Sequence, residues 1–316
     1  MVPSIDPFLT RADTILLQNL LQDVNANPVS TDQPALAQVI ALSDEKSTDF
    51  EPTVCTAWDT NDIHRFPSCF NNVIIQPYIR WAQTVVRHKT DVVFLTHTLL
   101  YLATSVPSAL YLFLHFTYPH AISHWIMTVW YCGAFTIMLH NHIHNNGVLS
   151  KQYAFFDLAV PYILEPLMGH TWDSYYYHHV KHHHCEGNGP DDLSSTVRYQ
   201  RDSLLHLLCY VGRFFFLIWI ELPLYFAFKK RYGLAVKQIV SELANYGFIY
   251  VMATLNFRAA LFTLILPLIV MRIGLMVGNW GQHAFVDEED PNSNFRSSIT
   301  LIDVAVSRSP IVLNAS

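Results

Sequence analysis

Residues 121–144 read AISHWIMTVWYCGAFTIMLHNHIH. From Ala121 to Leu139 there is no Lys, Arg, Asp or Glu. A hydrocarbon core about 30 Å thick takes roughly 20 helical residues, so this stretch is long enough to cross a membrane. It ends on His140-Asn141-His142-Ile143-His144. His140 and His144 are four apart and share one helix face, one turn from each other. Two imidazoles in that relation can grip one metal ion. His142 points elsewhere on a regular helix and is the weaker candidate ligand.

Outward from this stretch the pattern repeats. Val92 to Thr117 is also free of charge, and Tyr118, Pro119 and His120 separate the two runs, which predicts a tight hairpin. Arg80, Arg87 and Lys89 precede it, Lys151 follows it, and the turn has no Lys or Arg. The excess of basic residues on cytoplasmic flanks puts both outer ends in the cytosol. Val240–Leu255 and Ala259–Val277 form a second expected hairpin around Asn256, Phe257 and Arg258. Ser203–Phe228 is apolar but interrupted by Arg213, Glu221 and Pro223, and Lys229, Lys230 and Arg231 follow it. A mid-span charge costs roughly 2.5–3.5 kcal/mol on insertion scales, so this stretch is expected to lie along the cytosolic leaflet. The expected fold is an all-α membrane protein with two transmembrane hairpins and a cytosolic histidine-rich helical cap. Its expected parts are a cytosolic N-terminal segment (1–90), a membrane domain (91–303) and an atypical tail (304–316).

Composition agrees with this reading. Hydrophobic residues make up 51% and charged residues 14% of the 316, against about a quarter charged in average globular proteins. Disorder over most of the length and a highly charged coiled coil are excluded. With 19 basic against 25 acidic residues and net charge −6, a basic nucleic-acid binder is disfavoured. The five cysteines form no C-x-x-C pair and are odd in number, so a disulfide framework is not expected and a reducing cytosolic face suits the chain. The start has no basic segment leading into an apolar core, so no signal peptide is expected. Its acids (Asp6, Asp13, Asp23, Asp32, Asp44, Glu45) argue against a transit peptide.

Nine of the 17 histidines lie between His140 and His184. The second group is His178-His179-Val180-Lys181-His182-His183-His184, in which His179, His182 and His183 have the spacing H-x-x-H-H. His178 and His182 are also four apart. Glu186, Asp191 and Asp192 follow; they solvate the loop, or they orient ligands from behind. Cys185 reads as a free thiol, with metal binding the alternative. A third element, Asn279-Trp280-Gly281-Gln282-His283, stands beyond the last span. His64, His88, His97, His115, His120, His124 and His206 lack comparable partners. A merely polar cap would use Lys, Glu and Ser, so the clusters read as metal ligands. Imidazole suits Zn, Cu, Fe and Ni. H-E-x-x-H is absent, so the usual zinc-protease arrangement is not present. More than four histidines suggests more than one metal.

These motifs resemble the membrane fatty-acid desaturase and hydroxylase superfamily over roughly residues 90–300. His140 and His144 match its H-x-x-x-H box, His179, His182 and His183 its H-x-x-H-H box, and Asn279 to His283 its N-x-x-x-H element. The resemblance implies two non-haem iron ions held by His140, His144, His179, His182, His183 and His283, with O2 as co-substrate. It makes His142, His178 and His184 further candidate ligands, and Asn279 the holder of an iron-bound water. It implies a fatty-acyl or related lipid substrate, an external electron donor such as cytochrome b5 or ferredoxin, and an endoplasmic-reticulum membrane with the boxes facing the cytosol. No nucleic-acid partner is expected. The family's last H-x-x-H-H box does not follow His283, so this 316-residue form is expected to be inactive or severely impaired. Two other readings stand beside oxidation of a lipid chain: a non-catalytic desaturase-like protein, and a membrane zinc transporter with histidine-rich loops.

Overall fold

A computed structural model describes residues 9–25, 34–47, 50–58, 63 and 66–283. His64 and the expected tail at 304–316 lie outside them. The described residues are mainly helical: α1 (Arg11–Asn25), α2 (Pro34–Ser43), α3 (Gln76–Val85), α4 (Val92–Leu114), α5 (Tyr118–Asn145), α6 (Ser174–His178), α7 (Leu204–Phe228), α8 (Tyr232–Leu255) and α9 (Leu266–Gln282). A π-helical turn, Leu261–Ile265, leads into α9. Among the described residues there is no strand, only two isolated bridges. They fall into two compact units, 9–99 with 147–156, and 100–146 with 157–283.

In the first unit, α3 carries a buried face of Ile79, Ala82 and Val85. Ala82, Val85, Val86, Val92, Leu95, Val148 and Leu149 form one apolar cluster. The segment 147–150 is pinned to the end of α3, with Arg87 N donating to Val148 O (2.9 Å) and Ser150 N to Val85 O (2.9 Å).

The second unit holds the histidine boxes. Contacts between α4 and α5 run in opposite order along the two helices. Ser108 meets His120 and His124, and Tyr101 meets Tyr131 and Phe135. Thr117 is extended ahead of α5, Pro119 sits in its first turn, and Asn146, in the left-handed region at φ 54°, ends it beside His144. The α8–α9 connection lies against the far end of this pair. Asn256 caps the following turn by accepting from Ala259 N (3.2 Å), and its Nδ2 donates to Phe113 O (3.4 Å). Leu112, Ala121 and Ala259 are buried together there. From that end α5 and α9 run side by side, Phe116 near Phe262 and Thr136 near Met271, so both carry their C-termini to the histidine end. Gly169, at φ +85°, lies so close under α9 that a Cβ would fall 2.2 Å from Pro267 O.

Four described helices are long and apolar enough to cross a membrane: Lys89–Leu114, Tyr118–Asn145, Leu204–Phe228 and Phe257–Gln282. This set differs from the expected one. Arg213, Glu221 and Pro223 do not interrupt α7, because Arg213 Nε pairs with Glu221 at 3.1 Å on the helix surface and Pro223 is accommodated within it. The helix α8, with Lys237 and Glu242, is not in the set. α7 also contacts the histidine segment and the loop after it. Tyr210 near its start donates to Ser194 O (2.9 Å), Phe214 packs on His178, and Tyr225 near its end packs on His182. Lys229, just past its end, pairs with Glu186 (3.2 Å) and Asp191 (2.9 Å). Thus α7 touches the histidine segment and the following loop at several points and packs on α9 through Tyr210 with Met276 and Trp280, while α8 starts beside it and ends at Asn256 near Phe113. Trp130, Leu114, Phe216, Phe228, Tyr250 and Leu255 all stand exposed; so much outward apolar surface suits a bilayer and not water.

Candidate metal centre

The centre is built where the C-terminal end of α5 meets the second histidine segment. On α5 the rings of His140 and His144 lie 4.6 Å apart, and each faces His179, at 4.6 and 5.4 Å. One ring nitrogen from each of the three lies within 4.8 Å of the others. His142 turns to the opposite side, with its Nε2 3.7 Å from Asp157 Oδ1.

The second segment is not a regular α-helix. α6 passes into a π-helical turn, His179–His183, followed by His184–Glu186, and ends at Gly187 in the left-handed region (φ 56°). A π turn bonds i to i+5, so the residue stacked over His179 is His184. Their Nε2 atoms are 3.0 Å apart, and His184 also faces His144 at 4.8 Å between ring centroids. Four imidazoles therefore converge: His140, His144, His179 and His184.

His183 faces a second group. Its Nδ1 lies 2.6 Å from Asp192 Oδ2, and its ring lies 5.6 Å from His179, 5.7 Å from His283 and 6.4 Å from His178. A carboxylate only accepts, so His183 Nδ1 carries the proton and Nε2 keeps its lone pair. His182 is fully buried, with its Nε2 accepting from Leu193 N (3.2 Å) and its ring against Tyr225 at 4.4 Å. Asn279 donates to Ser194 O (3.1 Å) and Tyr210 OH (2.6 Å), and His283 O accepts from Thr196 (3.1 Å).

The loop at 187–197 ties these parts together. Asp192 is buried; its Oδ2 accepts from Asn188 N and its Oδ1 from Ser194 N and Oγ. Asn188 in turn accepts from Thr196 N (3.0 Å). Of the two readings left open for Asp192, its burial and its bond to His183 favour the one in which it orients a ligand from behind. Asp191, exposed and paired with Lys229, does match that reading. The sequence reading missed Ser194, Tyr210 and Asn188. The run NGPDDLSST carried a signal for Asn188 and Ser194, since Asn, Asp and Ser favour local side-chain-to-backbone bonds; Tyr210, on α7, had none.

Burial lowers His178 to about 3, and with crowding by neighbouring histidines it pushes His179 and His184 well below and below the ordinary range. Asp192 is also lowered: burial alone would raise it, and the hydrogen bond and charge of His183 outweigh that. Imidazoles grouped around a shared space, one of them hydrogen-bonded to a carboxylate, form a donor set that fits first-row transition metals such as iron.

A sequence profile described as fatty acid desaturase matches residues 116–308, more than half of the chain. The protein is an integral-membrane member of the fatty acid desaturase family. The matched span includes both histidine groups, Asn279 and His283. Neither the curated proteins nor the solved structures give a match.

Proposed function

We propose that the protein catalyses O2-dependent desaturation, or hydroxylation, of a fatty-acyl or related lipid chain at a pair of irons on the cytosolic face of the endoplasmic reticulum. The observation that carries this reading is the convergence of His140, His144 and His179 within 4.8 Å, beside His183 backed by Asp192. His140, His144 and His179 hold one iron; His183 and His283, with His178 adjacent, face the other. Bound iron supplies the O2 activation that breaks an unactivated C–H bond. Desaturation balances as R–CH2–CH2–R′ + O2 + 2 e− + 2 H+ → R–CH=CH–R′ + 2 H2O, so an external donor of two electrons, a cytochrome b5-type protein or a ferredoxin, is required. Asp192 holds His183 in one tautomer, and Asn279 is fixed by Ser194 and Tyr210 where it can orient a water.

The contact between Phe113 and Asn256 supports a two-hairpin membrane arrangement. α4, α5, α8 and α9 cross as two hairpins whose turns meet at Phe113 and Asn256, and α7 lies along the histidine face. Lys181, Lys229, Lys230 and Arg231 stand on that face, which favours the cytosol. A metal carrier needs polar ligands near mid-span, and here the imidazoles gather at the helix ends.

Lipid profiling tests the reading. Against the expectation of an inactive form, this reading has cells that express the chain with an electron donor accumulate an unsaturated or hydroxylated acyl product that is absent with His140→Ala/His179→Ala. Identical lipids in both, despite equal protein, would reject it.

A further inference from the structure

Residues 68–90 hold no Asp or Glu, while Arg80, Arg87 and Lys89 stand among them. From Ser68 to Val85 the backbone is helical without a break: one α turn, a π-helical turn over Asn71–Ile75, and then α3. One face of this helix is covered by protein, because Ile75, Ile79, Ala82 and Val85 are buried in the apolar clusters of the first unit. The remaining surface is apolar too. Phe70, Val73, Ile74 and Trp81 are exposed, Val73 by 71%. A surface helix in water carries polar and charged residues opposite its core face, and this one does not.

Depth points to what covers the exposed face. Tyr78 OH and Thr96 Oγ1 are hydrogen-bonded at 2.7 Å. Ala82, Val85 and Val86 share one cluster with Val92 and Leu95. Val92, Leu95 and Thr96 belong to the first turns of α4, a helix long and apolar enough to cross the membrane. At a rise of 1.5 Å per residue, Thr96 stands only about 6 Å past Val92. The helix 68–85 is therefore held at the level where α4 enters the bilayer.

We propose that this helix lies in the headgroup layer of the leaflet that α4 enters first, with Phe70, Val73, Ile74 and Trp81 sunk into the acyl boundary, and that anionic lipid is its partner. Interfacial helices bury an apolar face about 5–10 Å deep, and Trp is enriched at that level. Arg80 and Arg87 are exposed, and with no acid in the stretch they suit anionic headgroups. The expected cytosolic segment 1–90 thus ends on the membrane surface and not in free solution.

The full-length protein in vesicles of phosphatidylcholine, with and without phosphatidylserine, tests this. The emission lost in Trp81→Phe, taken as the difference from wild type, should be quenched by lipid brominated high in the acyl chain and little by iodide. A nitroxide on Val73→Cys, in cysteine-free protein, should be more accessible to oxygen than to a water-soluble nickel complex. Both readings should shift deeper with phosphatidylserine, and Arg80→Gln/Arg87→Gln should remove that shift. If the cysteine-free protein does not fold, Trp81 answers alone, in the native cysteine background. Aqueous contact at either position overturns the proposal. So does shielding from lipid, oxygen and aqueous probes alike, which marks a second copy or another protein as the cover. Lipid contact indifferent to phosphatidylserine overturns the anionic partner.

Discussion

His183 donates through Nδ1 to Asp192 Oδ2 across 2.6 Å, and the same carboxylate oxygen accepts from the backbone of Asn188. The carboxylate thus joins the second histidine segment to the loop that follows it. A carboxylate behind a histidine fixes the tautomer and raises ligand basicity, and losing such a partner typically costs 10–100-fold in metal affinity or activity. Asp192→Asn should therefore reduce metal affinity by about that factor while largely keeping the fold, measured by metal titration beside thermal unfolding. Affinity equal to wild type would mean that Asp192 serves only the loop.

Much of this site was legible from spacing. The i, i+4 pair His140 and His144 lies on a regular α-helix, and its rings meet as that period requires. The second group was legible in composition but not in geometry, because the π turn over His179–His183 shifts the period and hydrophobic patterning gives no sign of it. Asp192 was underestimated because its role depends on burial by Asn188, Ser194 and Thr196, all local turn bonds. The extent of α7 was hidden by Arg213 and Glu221, which satisfy one another on the helix surface.

The path of α7 gives a second prediction. Its start follows the loop at residue 200, and Lys229 at its end pairs with Glu186 and Asp191. In sealed membrane vesicles of a cysteine-free variant, Asp202→Cys and Arg231→Cys should react with an impermeant thiol reagent from the same side. Reaction from opposite sides would make α7 a crossing helix.

His170 predicts a pH effect. It is buried between Phe135 and Tyr175, its Nε2 has no hydrogen-bond partner, and burial, then the nearby Arg272 charge, lowers it to about 3. The unfolded chain takes up this proton below about pH 6.5 and the folded one only near 3. Stability is thus full above the ordinary value and falls as pH drops between the two. The single-site share between pH 7 and 5 is about 2 kcal/mol. His170→Phe should flatten the fall in thermal midpoint over that range for metal-free protein. An unaltered slope would refute the burial argument.

The last prediction concerns the ion pair between α8 and α9. Arg272 Nη2 donates to Glu242 Oε2 at 2.9 Å, and Glu242 Oε1 accepts from Thr171 at 3.0 Å, just ahead of the second histidine segment. Glu242 is 2% exposed. Removing one partner of a buried pair leaves an uncompensated charge and costs about 3–5 kcal/mol, whereas replacing both by apolar groups of similar volume is often neutral or stabilising. Arg272→Met alone should therefore lower the thermal midpoint sharply, and Glu242→Gln alone should do so to a smaller degree, since the amide oxygen still accepts from Arg272 and Tyr246 OH remains the second partner of Arg272. The double variant Glu242→Leu/Arg272→Met should recover most of the stability lost by Arg272→Met. Thr171 would still lose its acceptor in the double variant, so metal retention should recover less completely than stability. Additive losses in the double variant would show that the two residues act independently, and that Glu242 does not couple α9 to the segment bearing His179.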